Sequence, residues 1–597
     1  MSLPPRPPTA PAPAEDARPR TPHAARRLFV FYLACGVFFI LAAALLFVSA
    51  EGLMLARVGF ALFGLLFGAI GLGGLRSAGP VQLINTALNL LGQGRLAEAE
   101  RLLDEAAKSV RRGPNLRALL TQRAIIAVRR GDLDAAARAA DAAVNAPGSL
   151  LGSSVDRVQW TNARSIRAFV RASKGDRDGA REDIAAVRAS GDALPHALAR
   201  AALAELILTE KGGDRAALRA LLLEQGTILR EGTDPRERAI VRAFQRMLKA
   251  QATTVYRQSA PREPEARAAE EPALTEWIAK IAPAAAPFVN APRSAPKGEA
   301  LPVPAPASAE AKRAVEAARA QAAASARPKR ARGILQRLAV VLALSALFFA
   351  IFYFQSSAPT LGEDAHEEAA DVVLALTGQL SGAVVIAGLA FFALTIRRAQ
   401  VQAKRLRKAA IGVPTGAPEA IPELERISAG NLDMLAAEAH LHLAFASERG
   451  GDLQAALTHA DQGIGRLTRY ASKALSSDIL LPELVAERAF LLAALGRGDE
   501  AMAEIESLNP AYPFLARARF RVRLMRLVQA GDLDAAARLA AEGALDLPLN
   551  ARDELLADAV RVAATPERVG AAEVARVKED LQRVPALRRW MEAIAPG

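Results

Sequence analysis

A short stretch of this chain occurs twice, 400 residues apart: GDLDAAARAADAAV from Gly131 and GDLDAAARLAAEGAL from Gly531. Self-similarity at helix-pair spacing restricts a chain more than any composition does. Weaker copies begin at Gly94, Gly175, Gly212, Gly451 and Gly496. Each copy carries an alanine five residues after its glycine: Ala99, Ala136, Ala180, Ala217, Ala456, Ala501 and Ala536. Successive glycines lie 37, 44 and 37 residues apart in the first group, 45 and 35 in the second. Glycine permits the tight turn between two antiparallel helices, and a small alanine lets the second helix lie close on the first. Such pairs stack because neither buries its apolar stripe alone. The residue seven before the glycine is also small in Ala87, Ala124, Ala168, Ala444 and Ala489.

Composition agrees with helices. Only 5% of residues are aromatic, whereas strands favour aromatic and β-branched side chains and helices favour Ala, Leu and Arg. The single cysteine, Cys35, makes neither an internal disulfide nor a structural zinc site.

The glycine-to-alanine step of five, and a second alanine twelve after the glycine at Ala106 and Ala143, resemble the tetratricopeptide repeat family. Pro147 and Pro548, near repeat ends, are similar to that family as well. Its aromatic positions are mostly absent here and the periods are longer than its usual 34. The resemblance implies a degenerate α-solenoid that docks proteins or peptides.

Residues 28–50 are 23 in a row without a charge, and a second apolar run spans 58–75. Runs of that length cross a bilayer as helices. Similar runs at 338–354 and 372–396 predict a second hairpin. In the latter, Gly378 and Gly382 suit close helix packing, and Thr377, Gln379 and Ser381 are its polar residues. Five arginines precede the first run, and basic residues flank the second hairpin on both sides. That bias places both ends of each hairpin, and every large region, on the cytoplasmic side.

The expected architecture is therefore all-α: two transmembrane helical hairpins, four transmembrane helices in all, alternating with two solenoid domains. The predicted order is a Pro/Arg-rich tail (1–27), hairpin 1 (28–75), a basic solenoid (76–255), a Pro/Ala-rich disordered linker (256–332), hairpin 2 (333–396), a basic juxtamembrane segment (397–408) and an acidic solenoid (409–597). Eleven prolines in the linker argue against a packed core there. Around Trp277 it holds an apolar island, readable as a docking motif or as a stray cluster, and 309–326 is helix-prone.

Lys plus Arg number 29 against 20 Asp plus Glu in 76–255, a balance of +9; the corresponding 21 and 27 in 409–597 leave −6. Opposite signs favour contact between the two solenoids. On the helix expected near residue 520, Arg519, Arg523 and Arg526 share a face that suits an anionic partner, or only solvent. Nucleic-acid binding is not expected, since much of the basic surplus flanks the apolar runs.

No phosphate loop, dinucleotide fingerprint, nucleophile elbow or HExxH motif is present. His440 and His442 are two apart and point to different helix faces, so no metal, cofactor or small-molecule substrate is predicted. Asp132 and Asp134, recurring as Asp532 and Asp534, read as helix-start residues. The functional expectation is a non-enzymatic scaffold of the bacterial inner membrane that binds protein or peptide partners through its cytoplasmic repeats. The alternative is a transporter or channel component with regulatory repeats.

Overall fold

The computed structural model describes residues 54–148 except 93, 154–252, 274–289, 306–325, 397–414, 417–467, 480–508, 512, 514–546, 549–564 and 571–582, with scattered positions in 29–44 and at 394–395 and 588–589. Helices and turns account for them, and no strand occurs among the described residues.

The N-terminal array stacks helix pairs. Met54–Gly92 packs on Leu96–Ala107, Pro114–Arg130 on Leu133–Asn145, and Ser154–Lys174 on Arg177–Ala189. Pro195–Lys211 and Arg215–Glu224 follow, then Gly226–Gly232 and Pro235–Ala252. The C-terminal array pairs Asp433–Arg449 with Leu453–Arg466, Leu480–Ala494 with Gly498–Glu506, Leu515–Gln529 with Leu533–Asp546, and Ala551–Ala564 with Ala571–Gln582.

The turns between paired helices share a left-handed glycine, and most of those described add an aspartate cap, the exceptions being at Arg95 and Arg497. Gly131 closes the first helix at φ +74°, and its amide donates back to the Val128 carbonyl. A side chain there would cost about 1–2 kcal/mol. Asp132 then caps the second helix, its carboxylate accepting from the Ala135 amide at 2.9 Å. Such a cap contributes about 1 kcal/mol. Asp176, Asp214, Asp452 and Asp532 make the equivalent bond. Gly94, Gly175, Gly451, Gly496 and Gly531 also have positive φ. Ala99, Ala136, Ala180, Ala456, Ala501 and Ala536 are wholly buried where the two helices meet.

One copy is shifted by a residue. Gly212 has an ordinary helical φ of −77°, and Gly213 takes the left-handed place at +75°. Five residues on, Leu218 is buried while Ala217 is only half-buried. The turn is therefore Gly213-Asp214, and leucine fills the position that alanine holds elsewhere.

The membrane expectation is corrected. Among the described residues no helix is long and apolar enough to cross a membrane. Four transmembrane helices, and with them an integral inner-membrane placement with cytoplasmic domains, are accordingly not supported. The run 58–75 is not an element that ends at residue 75. It is the front part of the 39-residue helix Met54–Gly92, which continues through Arg76 and Pro80 to pack on Leu96–Ala107 as the first repeat helix. Glycines along the front part meet backbone of the preceding segment: a Cβ on Gly71 would lie 2.5 Å from the Leu33 amide nitrogen, and one on Gly36 would collide with Gly68. The runs at 338–354 and 372–393, with the Gly378–Gly382 pattern, lie outside the described residues.

The basic stretch after residue 396 also behaves differently. Residues 397–414 are helical, and Leu406 and Ala409 are buried against Leu424, Ile427 and Leu443 of the C-terminal array. Arg407 pairs with Asp192 of the N-terminal array at 3.2 Å.

Within the expected linker, two islands are folded. Helix Leu274–Ile281 and the 3-10 turn Pro283–Phe288 join the N-terminal core. Helix Ala309–Ser325 lies on the C-terminal array, where Lys312 pairs with Glu506 at 2.9 Å and Arg319 pairs with Glu504. The arrays also touch each other. Arg238 reaches Glu554 at 3.1 Å, Arg242 bonds the same carboxylate, Arg230 meets Asp580 at 3.2 Å, and Arg449 meets Glu231 at 2.9 Å.

Candidate functional site

The first helices of successive C-terminal pairs bring a charged cluster together on one surface. Helix Asp433–Arg449 contributes Phe445 and Glu448, helix Leu480–Ala494 contributes Glu487 and Phe490, and Leu515–Gln529 contributes Arg517 and Arg521. Arg552 and Asp553 stand at the start of Ala551–Ala564, where Asn550 caps the Asp553 amide at 2.8 Å. These residues are consecutive rungs of the repeat, so a stacked array places them side by side.

Arg552 is the hub. It pairs with Glu448 and bonds the Glu487 carboxylate at 2.7 Å, with its guanidinium 4.9 Å from the Phe445 ring centre. Arg521 shares Glu487 at 3.2 Å, approaches Asp553 at 3.1 Å, and lies over Phe490 at 3.9 Å. Planar guanidinium suits both the fork onto carboxylate and the aromatic face. Burial pushes Glu448 up to about 7 against the pull of Arg552. Glu487 feels the same burial, but Arg552 and Arg521 together outweigh it and hold its carboxyl at about 2. Two acids sharing one arginine thus split in opposite directions.

A cavity of about 150 Å³ opens beside this cluster. Glu483, Tyr512 and Arg517 form part of its wall, and the bridge between Glu231 and Arg449 stands at the place where the two arrays meet. Tyr512 is only 5% exposed, and its hydroxyl has no hydrogen-bond partner among the described residues.

The N-terminal array uses its own first-helix surface differently. Trp277 is buried there, and its indole N–H donates to the Val128 carbonyl at 2.6 Å. Arg236 lies 5.4 Å from its ring centre. Ile278 and Ile281 are wholly buried beside it, in the same core as Phe169 and Phe244 of the array.

Of the arginines picked out from sequence, Arg519 is exposed, Arg523 is half-buried, and Arg526 pairs with Asp499 at 3.4 Å. The buried cluster instead uses Arg517 and Arg521, on the opposite side of that helix. Arginines at alternate positions from 517 to 523 fall on different sides of the helix, and choosing which side is buried needs Glu487 and Asp553, which come from other helices. His440 and His459 bring their ring centres to 5.6 Å. Among the described residues no group of three or more His, Cys, Asp or Glu is placed to hold a metal ion.

No family model matches the chain, and neither a curated protein nor a solved structure matches it.

Proposed function

We propose that this chain is a non-enzymatic scaffold whose degenerate tetratricopeptide-like arrays dock short amphipathic segments of protein partners. The observation that carries this reading is the seat of Trp277 on the N-terminal array. The segment from Leu274 to Val289 does not carry the repeat pattern, yet the array takes it as an amphipathic helix anchored by Trp277, Ile278 and Ile281. Helix-in-groove recognition uses this spacing of apolar anchors, and a buried tryptophan with its N–H satisfied is a strong anchor. The segment's place in the chain makes it a resident ligand for a surface that partners of the same pattern would use.

A labelled peptide of residues 272–290 tests this. With full-length chain carrying Trp277→Ala and Ile281→Ala, whose seat is vacated, the peptide should bind. With the unaltered chain, whose seat is filled, it should bind at least roughly tenfold more weakly. A peptide carrying Trp277→Ala should not bind either chain. Failure of the native peptide to bind the vacated chain, or equal binding to both chains, would overturn the reading.

A further inference from the structure

The cavity of the C-terminal array carries one carboxylate, Glu483, that none of the arginines around it pairs with among the described residues. Four arginines border it: Arg449, Arg517, Arg521 and Arg552. Three carboxylates share its lining, Glu231, Glu483 and Glu487, and two stand directly behind, Glu448 and Asp553.

The pairing shows which carboxylate is left over. Arg449 is taken by Glu231 at 2.9 Å and Arg517 by Asp553 at 3.4 Å. Arg521 and Arg552 are taken by Glu487, Asp553 and Glu448. Glu483 has no ion pair within reach among the described residues, although it is half-buried on the cavity wall. A carboxylate held out of water without a partner is costly. Tyr512 supplies a second, independent sign. It lines the same cavity, is 95% buried by its 5% exposure, and offers a hydroxyl that no described residue engages. Buried polar groups are ordinarily paired, and these two unsatisfied groups line one cavity. Phe445, Phe514, Ala486 and Ala518 provide apolar wall between them.

We propose that this cavity binds the cationic head of an alkylammonium or guanidinium group, with Glu483 and the Tyr512 hydroxyl accepting its N–H bonds and the phenylalanine walls covering its methylene stem. One monovalent cation gives Glu483 the counter-charge it lacks. An anion finds every bordering arginine already engaged by carboxylate. The head group has two sources, a free small amine or a lysine or arginine side chain of a docked partner. This proposal is independent of the Trp277 seat, which lies on the other array.

Titration calorimetry on the full chain tests it with n-butylammonium, Nα-acetyl-lysine methylamide and, as the anionic control, butyrate. Both amines should bind saturably and butyrate should not. Glu483→Gln should weaken the amines roughly ten- to a hundredfold, the range of a lost charge-assisted bond, and Tyr512→Phe by less. Tighter binding of butylammonium assigns the site to free amines, and tighter binding of the lysine derivative assigns it to side chains. A readout in the unaltered chain guards against variants that fold poorly. With 3-fluorotyrosine incorporated, the fluorine resonance that disappears in Tyr512→Phe should shift on adding butylammonium. No saturable amine binding, unchanged affinity in Glu483→Gln, preferred binding of butyrate, or an unmoved Tyr512 resonance would each overturn the proposal.

Discussion

Arg167 grips Asp183 with two parallel hydrogen bonds, Nε to Oδ2 and Nη2 to Oδ1, both 2.7 Å. The two residues stand eight before and eight after the turn glycine Gly175, and Arg488 and Glu504 hold the same places about Gly496, also paired. Each arginine reaches back to the preceding repeat as well, Arg167 to Asp141 at 3.4 Å and Arg488 to Asp461 at 2.6 Å. Both aspartates stand ten residues after their own glycines. Arg123 and Asp104 make the backward link one repeat earlier. The arrays thus carry a staple at fixed register, joining the helices of a pair and successive pairs together. Arg523, eight before Gly531, occupies the staple position too, so its place in the chain has a structural account without an outside partner.

Breaking the buried staple should be expensive. Asp183 is wholly buried, and Arg164, Arg167 and Arg171 all approach it. Asp183→Asn leaves buried guanidinium without its counter-charge and should destabilise the chain by about 3–5 kcal/mol. Asp104→Asn acts on a pair that is largely exposed and should cost under about 1 kcal/mol. Urea unfolding of the two variants beside the parent checks the contrast; equal losses would show that the staple does not bear on stability.

The shifted turn gives a sharper test. Gly213→Ala places a Cβ at φ +75° and should cost about 1–2 kcal/mol. Gly212→Ala sits at an ordinary φ, its nearest contact the Thr209 carbonyl at 3.3 Å, and should change stability by about 0.5 kcal/mol or less. Thermal unfolding of both variants decides the register, and a larger loss at Gly212 would restore the alternative.

The repeat itself was legible because its determinants are local. A glycine, a capping aspartate and an alanine at fixed steps specify a turn whatever surrounds it, as at Gly131, Asp132 and Ala136. The doubled glycine at 212–213 defeated that logic, since only Gly212 has an alanine five residues on while Gly213 takes the turn. Only the cap from Asp214 and the burial of Leu218 select the second. The apolar run 58–75 was misread for another reason. Hydropathy says that a segment avoids water but not where its helix stops, and the glycines that bring it against Phe29, Leu33, Gly36 and Ile40 are tertiary contacts. The cluster around Arg552 was invisible because Glu448 and Glu487 lie 104 and 65 residues from it. The Trp277 island was visible as an apolar patch, but its seat combines Val128, 149 residues earlier, with Arg236 of a nearer helix.

Buried histidines make stability depend on pH, His196 among them, held down at about 3 by burial and by Arg200. Burial, with His459 and Arg466 adding to it, holds His440 down at about 3, and burial alone holds His442 at about 4. Both lie below the unfolded value near 6.5. Below that pH the unfolded chain takes up protons that the folded chain refuses, so stability falls as pH drops from about 6.5 toward 4. Each should cost about 2 kcal/mol at pH 5. Glu448 acts oppositely: its raised pKa near 7 lets the fold gain a proton before the unfolded chain does, adding stability as pH falls through 7 toward the usual carboxylate range. Comparing His442→Leu with the parent isolates the histidine. The variant should lose about 2 kcal/mol less between pH 7 and pH 5, and an identical pH profile would show that His442 is accessible to protons in the fold.

Contact between the arrays should depend on Glu554. Its carboxylate receives both Arg238 and Arg242, and the Arg238 side chain is buried, also donating to the Leu549 carbonyl. Glu554→Gln therefore strands a buried arginine at the junction, whereas Asp580→Asn removes a partner from Arg230, whose side chain is 29% exposed. Removing the first partner should weaken the junction by about 2–5 kcal/mol, and removing the second by about 1 kcal/mol or less. Small-angle scattering should show a larger radius of gyration for Glu554→Gln, with little change for Asp580→Asn. Added salt should expand the Asp580→Asn chain only slightly, because ions screen exposed pairs far better than the desolvated one at Arg238. A Glu554→Gln chain as compact as the parent would show that the arrays are held together by something other than this carboxylate.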